Sequence, residues 1–202
     1  VSPMPAPDGR SMLFIRERGD LWHHDFATGQ ERLVFESWNE PGVQWASDSR
    51  HIVYNVADLD FNSDVFLLDL HDQDAQPINI TRHPDIDTSP RLSADGKMLV
   101  FLSDRAGNNW SYDVYAVLLD RSLEGLTDYE LEQYFKDAAK AVGKNGAIDT
   151  PNLDEQPEDA QPLEFDAEDA WQRVRRLTGV EGASDLALTP GGDRVLFSTR
   201  ID

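Results

Sequence analysis

Ser89-Pro90-Arg91-Leu92-Ser93-Ala94-Asp95-Gly96-Lys97-Met98-Leu99-Val100-Phe101 reads as a tight turn with an apolar strand behind it. Asp-Gly tolerates the positive φ that hairpin turns demand, and the unbroken run Met98 to Leu102 suits an inner strand covered on both faces. The phrase returns three more times: Ser2 to Phe14 around Asp8-Gly9, Ala46 to Tyr54 around Asp48-Ser49, and Thr189 to Phe197 around Gly191-Gly192. In every copy an aromatic residue falls five positions after the turn: Gly9 to Phe14, Ser49 to Tyr54, Gly96 to Phe101, Gly192 to Phe197. A constant interval of this kind holds the second strand of a hairpin in fixed register.

A second phrase follows the first. Asp20-Leu21-Trp22, Asp64-Val65-Phe66 and Asp113-Val114-Tyr115 share the order acid, aliphatic, aromatic, each opening a third strand. Fourth strands are read at Glu31 to Val34, Pro77 to Thr81 and, much later, Arg173 to Thr178. Four antiparallel strands per unit, with turn-to-turn spacings of 40 residues (Gly9 to Ser49) and 47 (Ser49 to Gly96), match the period of a propeller blade. The fold class expected is therefore all-β: a β-propeller segment of about three and a half four-stranded blades. Blade 1 covers residues 1–36, blade 2 covers 37–84, blade 3 covers 85–122 plus 171–179, and a fourth begins over 180–202.

The next turn spacing, Gly96 to Gly192, is 96 residues, so something is inserted between the third and fourth strands of the third unit, over 123–170. Its first part reads as a helix over about 128–142. Thr127 with Glu130 forms a capping box, and Tyr129, Leu131, Tyr134, Phe135, Ala138, Ala139 and Val142 leave an apolar stripe. The second part, about 149–169, holds nine acids, three prolines and no basic residue, which predicts a mobile acidic loop.

At 202 residues and 40% hydrophobic the chain can form a core, yet it contains only three full units and half of another. Propellers close with about four to eight blades, which predicts a segment of a longer polypeptide. Val1 entering a strand phrase without an initiator Met or a hydrophobic leader, and Asp202 stopping inside a unit, point the same way. A net charge of −20 argues against nucleic acid and anionic membrane as partners, because both are held by dense Lys and Arg. Zero cysteines exclude disulfides and thiol chemistry without assigning a compartment. No apolar run is long enough to predict a bilayer-spanning helix.

No Gly-x-Ser-x-Gly elbow and no nucleotide-binding glycine motif occurs, so no catalytic residue and no cofactor site is expected within the chain. His23 and His24 are adjacent on a strand and point to opposite faces, which prevents them from sharing a ligand. Asp58-x-Asp60-x-Asn62 followed by Asp64 has the alternating oxygen spacing of a calcium loop. Ser63 stands where that loop wants glycine, however, and a solvated acidic hairpin loop accounts for the same residues. The acids Asp20, Asp64 and Asp113 either line a channel or bind backbone amides at a turn; their recurrence in every unit favours the structural use. On the helix, Tyr134 and Phe135 form a candidate docking surface, against which stands packing on the chain's own rim.

The phrases from Ser89 to Phe101, Leu102-Ser103-Asp104-Arg105 and Asp113-Val114-Tyr115 resemble the WD40-like repeat of the TolB and tricorn propellers. Val117 to Thr127, Glu130 to Asp137 and the acidic insert ending in Arg173 to Thr178 resemble more specifically the propeller part of bacterial tricorn-like proteases, a peptidase S41-type family. The resemblance implies a large serine peptidase in which propellers precede a PDZ-like domain and a catalytic domain, and in which the propeller holds or gates peptides without cutting them. None of that family's catalytic residues maps onto this sequence, and Asp48-Ser49 and Gly191-Gly192 depart from the Asp-Gly turn. Implied partners are peptides or unfolded polypeptide, and the remaining blades and catalytic domain of the same chain, with a homo-oligomer left open. Relatives often carry an export signal, which favours a bacterial periplasm over the cytoplasm. The alternatives are a TolB-like interaction platform with no enzyme attached and the propeller cap of a prolyl-oligopeptidase-type enzyme. From the net charge alone, an acidic frame favours basic or neutral peptides over acidic ones, an effect that fades as salt rises.

Overall fold

Gly9, Ser49, Gly96 and Gly192 all adopt φ between 56° and 76°, so each repeated phrase bends where its sequence places the turn. The aspartates of three of these turns act alike: Asp8, Asp48 and Asp95 each accept the backbone amide two residues on, from Arg10, Arg50 and Lys97. In the computed structural model, which describes residues 3–106, 111–145, 161–179 and 182–199, the turns generate a series of antiparallel sheets. Strands β1 (Met4–Pro5), β2 (Ser11–Arg16), β3 (Asp20–Asp25) and β4 (Glu31–Phe35) form the first in sequence order. The second contains β5 (Gly42–Trp45), β6 (His51–Ala57), β7 (Ser63–Asp69) and β8 (Ile78–Asn79). The third contains β9 (Asp87–Leu92), β10 (Met98–Ser103), β11 (Asp113–Leu118) and β12 (Arg175–Arg176), with the insertion between β11 and β12. Strands β13 (Ser184–Leu188) and β14 (Val195–Ser198) pair as a two-stranded sheet.

The two sequence phrases meet across the sheets. Phe14 pairs with Trp22, Tyr54 with Phe66 and Phe101 with Tyr115, so the aromatic of the first phrase faces the aromatic of the second in all three full sheets. The acid that opens each third strand reaches the end of the fourth. Asp64 accepts from the Thr81 hydroxyl, which accepts the Val65 amide; Asp113 and Thr178 repeat this around Val114. Asp20 accepts the Ser37 amide instead. Asp64 and Asp113 fasten strands within their own blades, and Asp20 ties its strand to the link that follows blade 1.

Strand parity divides the core. Leu99 and Phe101 of β10 join Val53, Val65 and Leu67 of the second sheet, while Met98, Val100 and Leu102 join Ala183 and Leu186 beside the fourth. Ile52, Tyr54 and Leu68 use the opposite face of the second sheet to meet Leu13 and Leu21 of the first. A middle strand therefore has no polar face, which explains the unbroken apolar run. Fully burying a Leu- or Phe-sized side chain contributes about 1.5–3 kcal/mol. Side chains also join neighbouring inner strands: Gln44 exchanges two hydrogen bonds with the Leu92 backbone, and the Trp45 indole donates to the Met4 carbonyl.

The insertion is a two-limbed clasp. Helix α1 (Asp128–Asn145) begins at the capping box, in which the Thr127 amide donates to Glu130 at 2.8 Å and the Glu130 amide returns to the Thr127 hydroxyl at 3.4 Å. It lies on the fourth unit's turn, where a Cβ on Gly191 would stand 2.4 Å from the Ala139 Cα. Only glycine admits the helix there, which accounts for the Gly191-Gly192 departure. The other limb, 161–169, has no regular secondary structure but is not a free loop, correcting the expectation of mobility for this stretch. It runs back to the second sheet, where the Leu163 amide donates to Asp48 at 3.0 Å and Phe165 meets the His51 ring edge-on at 5.0 Å. Ala167 and Ala170 are buried in the core between the second and third sheets. The beginning of the acidic stretch, 149–160, lies outside the described residues.

Candidate functional site

Antiparallel order sorts the connections onto two ends of the blades. Turns joining first to second and third to fourth strands, with the insertion, occupy one end; second-to-third turns and the links between blades occupy the other. At this second end three connections of the first two blades converge: 17–19, 36–41 and 58–62. They carry large apolar side chains into solvent. Leu59 is 86% exposed, Phe61 67% and Trp38 40%.

This display is built. The Trp38 indole donates to the Ala57 carbonyl at 3.0 Å, and its ring meets Phe61 edge-on, 5.3 Å between centroids. Ser37 and Asn39 bond to each other within the link, and a Cβ on Gly19 would stand 1.9 Å from the Asn39 carbonyl oxygen, so the first turn is pressed directly against the link. Asp58 accepts the amides of both Asp60 and Asn62 through one carboxylate oxygen, closing the loop while Phe61 takes φ 65°. A non-glycine residue at positive φ is held there by its surroundings. Beside Trp38 runs an open groove of about 370 Å³ lined by Asp20, Glu36, Ser37, Trp38, Val56 and Ala57. Its lining combines the Trp38 ring, the aliphatic side chains of Val56 and Ala57, and the carboxyl groups of Asp20 and Glu36.

The residues singled out from sequence are disposed otherwise. Asp58, Asp60, Asn62 and Asp64 do not gather around a common point. Asp58 is committed to its own turn, whereas Asp64 binds Asn79, Thr81 and the His83 amide. No group of three or more His, Cys, Asp or Glu able to hold a metal is found among the described residues. Tyr134 and Phe135 pack partly buried on the chain's own rim, the use set against docking: Tyr134 donates to Asp95 at 2.5 Å, with Lys97 over its ring, and Phe135 packs beside the fourth sheet's core. Burial, then the bond to the Asp95 carboxylate, pushes the Tyr134 phenol well above its usual range. His23 meets Trp45 between the first two blades and is held below its ordinary pKa by burial and by Arg32, while His24 lies on the other face against Phe26.

Sequence reasoning missed Trp38, Leu59 and Phe61. For Leu59 and Phe61 the alternation of acid and large apolar residues, Asp58-Leu59-Asp60-Phe61, is a signal that the turn is apolar; that Phe61 meets Trp38 has no sequence signal.

No family model matches the chain. Among solved structures it is similar to the tricorn protease, with a TM-score of 0.60 and 15% identity over 92% of this chain and 18% of that one. It is similar to TolB from Acinetobacter baumannii, with a TM-score of 0.58 and 18% identity over 99% of this chain and 37% of that one. Hydrazine synthase from Kuenenia stuttgartiensis gives a TM-score of 0.52 at 13% identity over 98% of this chain and 58% of that one. The chain thus spans less than a fifth of the tricorn chain and little over a third of the TolB chain. A protease, a TolB and a hydrazine synthase share the architecture, so the fold by itself assigns no activity. What the likeness does show is the fold: this chain is a β-propeller segment of the kind found in tricorn protease and TolB.

Proposed function

We propose that this chain is the non-catalytic propeller segment of a tricorn-like serine protease, and that it holds peptide or unfolded polypeptide for a catalytic domain elsewhere in the same molecule. The observation that carries the proposal is the groove lined by Trp38 and the carboxyl groups of Asp20 and Glu36, with the exposed Phe61 ring packed edge-on against Trp38. An exposed apolar cluster on bonded loops of a rigid frame is a binding feature rather than surface noise. The resemblance of the helical and acidic insertion to tricorn-like proteases supports the protease over other propeller proteins. The likeness to TolB over 99% of the chain favours a second reading, an interaction platform without an enzyme.

Hydrolysis of a fluorogenic oligopeptide by the native polypeptide that contains this chain separates the two. Cleavage, with KM raised and kcat preserved when Phe61 is replaced, is expected of the protease segment. Absence of cleavage together with stable capture of one folded protein partner supports the platform instead.

A further inference from the structure

We infer that the Trp38 groove takes an extended peptide segment in which an apolar side chain is flanked by lysine or arginine. The inference rests on the peptide-holding reading and specifies what is held. Three observations lead to it, and the first is charge. Residues 17–20, 36–41 and 58–62 contain six acids, Glu17, Asp20, Glu36, Glu40, Asp58 and Asp60, against the single cation Arg18. Glu36 and Asp20 both line the groove. Carboxylates in and around an apolar slot attract a cationic chain and repel an anionic one.

The second observation is shape and surface type. Trp38 and Phe61 meet edge to face, 87° between planes, so one ring presents a face wherever the other presents an edge. Aromatic faces accept ammonium and guanidinium groups as well as aliphatic side chains. The third is rigidity. Hydrogen bonds from the Trp38 indole and onto the Asp58 carboxylate fix both loops before anything binds, which removes ordering losses from association. A second copy of this chain is a poor occupant, because two acid-rimmed ends of a molecule carrying −20 would have to meet.

The test uses the native polypeptide and two fluorescein-labelled twelve-residue peptides of Gly and Ser, one with a central Lys-Leu-Lys-Phe and its twin with Glu for Lys. Fluorescence anisotropy is expected to show the basic probe binding at least tenfold more tightly, with the gap narrowing as salt rises. Phe61→Asn, the lip variant, removes the exposed ring that packs on Trp38 while asparagine keeps the positive φ; it should weaken the basic probe at least fivefold with Tm unchanged. Glu36→Lys should shrink the preference between probes, again without a change in Tm. Equal binding of the twins, or full binding by the lip variant, overturns the inference. If the lip variant raises the KM for oligopeptide cleavage while the twins bind equally, the groove inference fails and the peptide-holding reading stands; if its KM is unchanged, both fail. If neither probe binds and the lip variant instead dissolves a dimer, the occupant is a second copy and the inference is likewise overturned.

Discussion

Arg105 draws together side chains from three strands of the third blade, β9, β10 and β11. Its guanidinium donates to Asp87 at 2.6 Å and to the Ser103 hydroxyl at 3.0 Å, and lies over the rings of Phe101 and Tyr115. The Asp87 side chain is fully buried, so removing the cation strands a carboxylate away from water. Breaking a buried pair costs about 3–5 kcal/mol, whereas replacing both members with apolar groups is often neutral. Arg105→Ala is therefore expected to lower stability by about that amount in urea unfolding, and Arg105→Met with Asp87→Leu to recover much of it. Asp48 gives a pH-dependent case. Burial raises its pKa, but hydrogen bonds from the His51 ring and from the amides of His51, Leu163 and Arg50 outweigh this and hold the carboxyl well below the ordinary carboxylate range. Its stabilising contribution is complete above about pH 4, the unfolded value, and is lost as pH falls toward the folded one. In Asp48→Asn, stability at pH 7 should drop by about 1–3 kcal/mol and the acid limb of a stability-against-pH curve should flatten. An unchanged acid limb would locate the sensitivity in other carboxylates.

At the scale of elements, helix α1 depends on a start signal that is local and a docking site that is not. Thr127 and Glu130 satisfy each other's amides, so Thr127→Ala should weaken the helix by about 0.5–2 kcal/mol, read as faster amide exchange over 128–131. Gly191→Val should displace the helix with its cap intact, read as exposure of Phe135 with little loss of helical signal. The contrast also explains what the sequence disclosed. Turns, strand order, the place of the insertion and the capping box rest on neighbours within a few residues, so spacing reveals them. The Gly191 departure answers to Ala139, 52 positions away, and Ser49 keeps its φ of 56° while its hydroxyl accepts the Asp8 amide from another blade. Such causes become visible only after the blades are stacked. Trp38 and Phe61 were hidden for the same reason: in a repeat rich in inward aromatics, exposure is decided by which connections converge. The spacing that suggested a calcium loop had a local cause too, since Asp58 alternates with apolar residues to close a turn.

For the molecule as a whole, the insertion changes how blades share stability. Repeats that touch only their neighbours behave as a sum of unit stabilities and interface contributions. Here the third unit strengthens both its interfaces with one insertion: Leu163 and Phe165 clasp the second blade, and α1 rests on the fourth unit's turn. Gly96 makes room for the first of these limbs, since a Cβ there would stand 2.9 Å from both Leu163 and Phe165. The described chain should consequently unfold as one unit, and releasing both limbs should separate its parts. Phe165→Ala with Gly191→Val is expected to leave β10 protected in native-state hydrogen exchange while β6 and β14 exchange about tenfold faster, equivalent to about 1.4 kcal/mol at each interface. Each single variant should loosen one side only: Phe165→Ala the second sheet, Gly191→Val the fourth. Uniform acceleration through all sheets would instead mean that the strand cores alone carry the coupling, with the insertion lying on blades already cooperative without it.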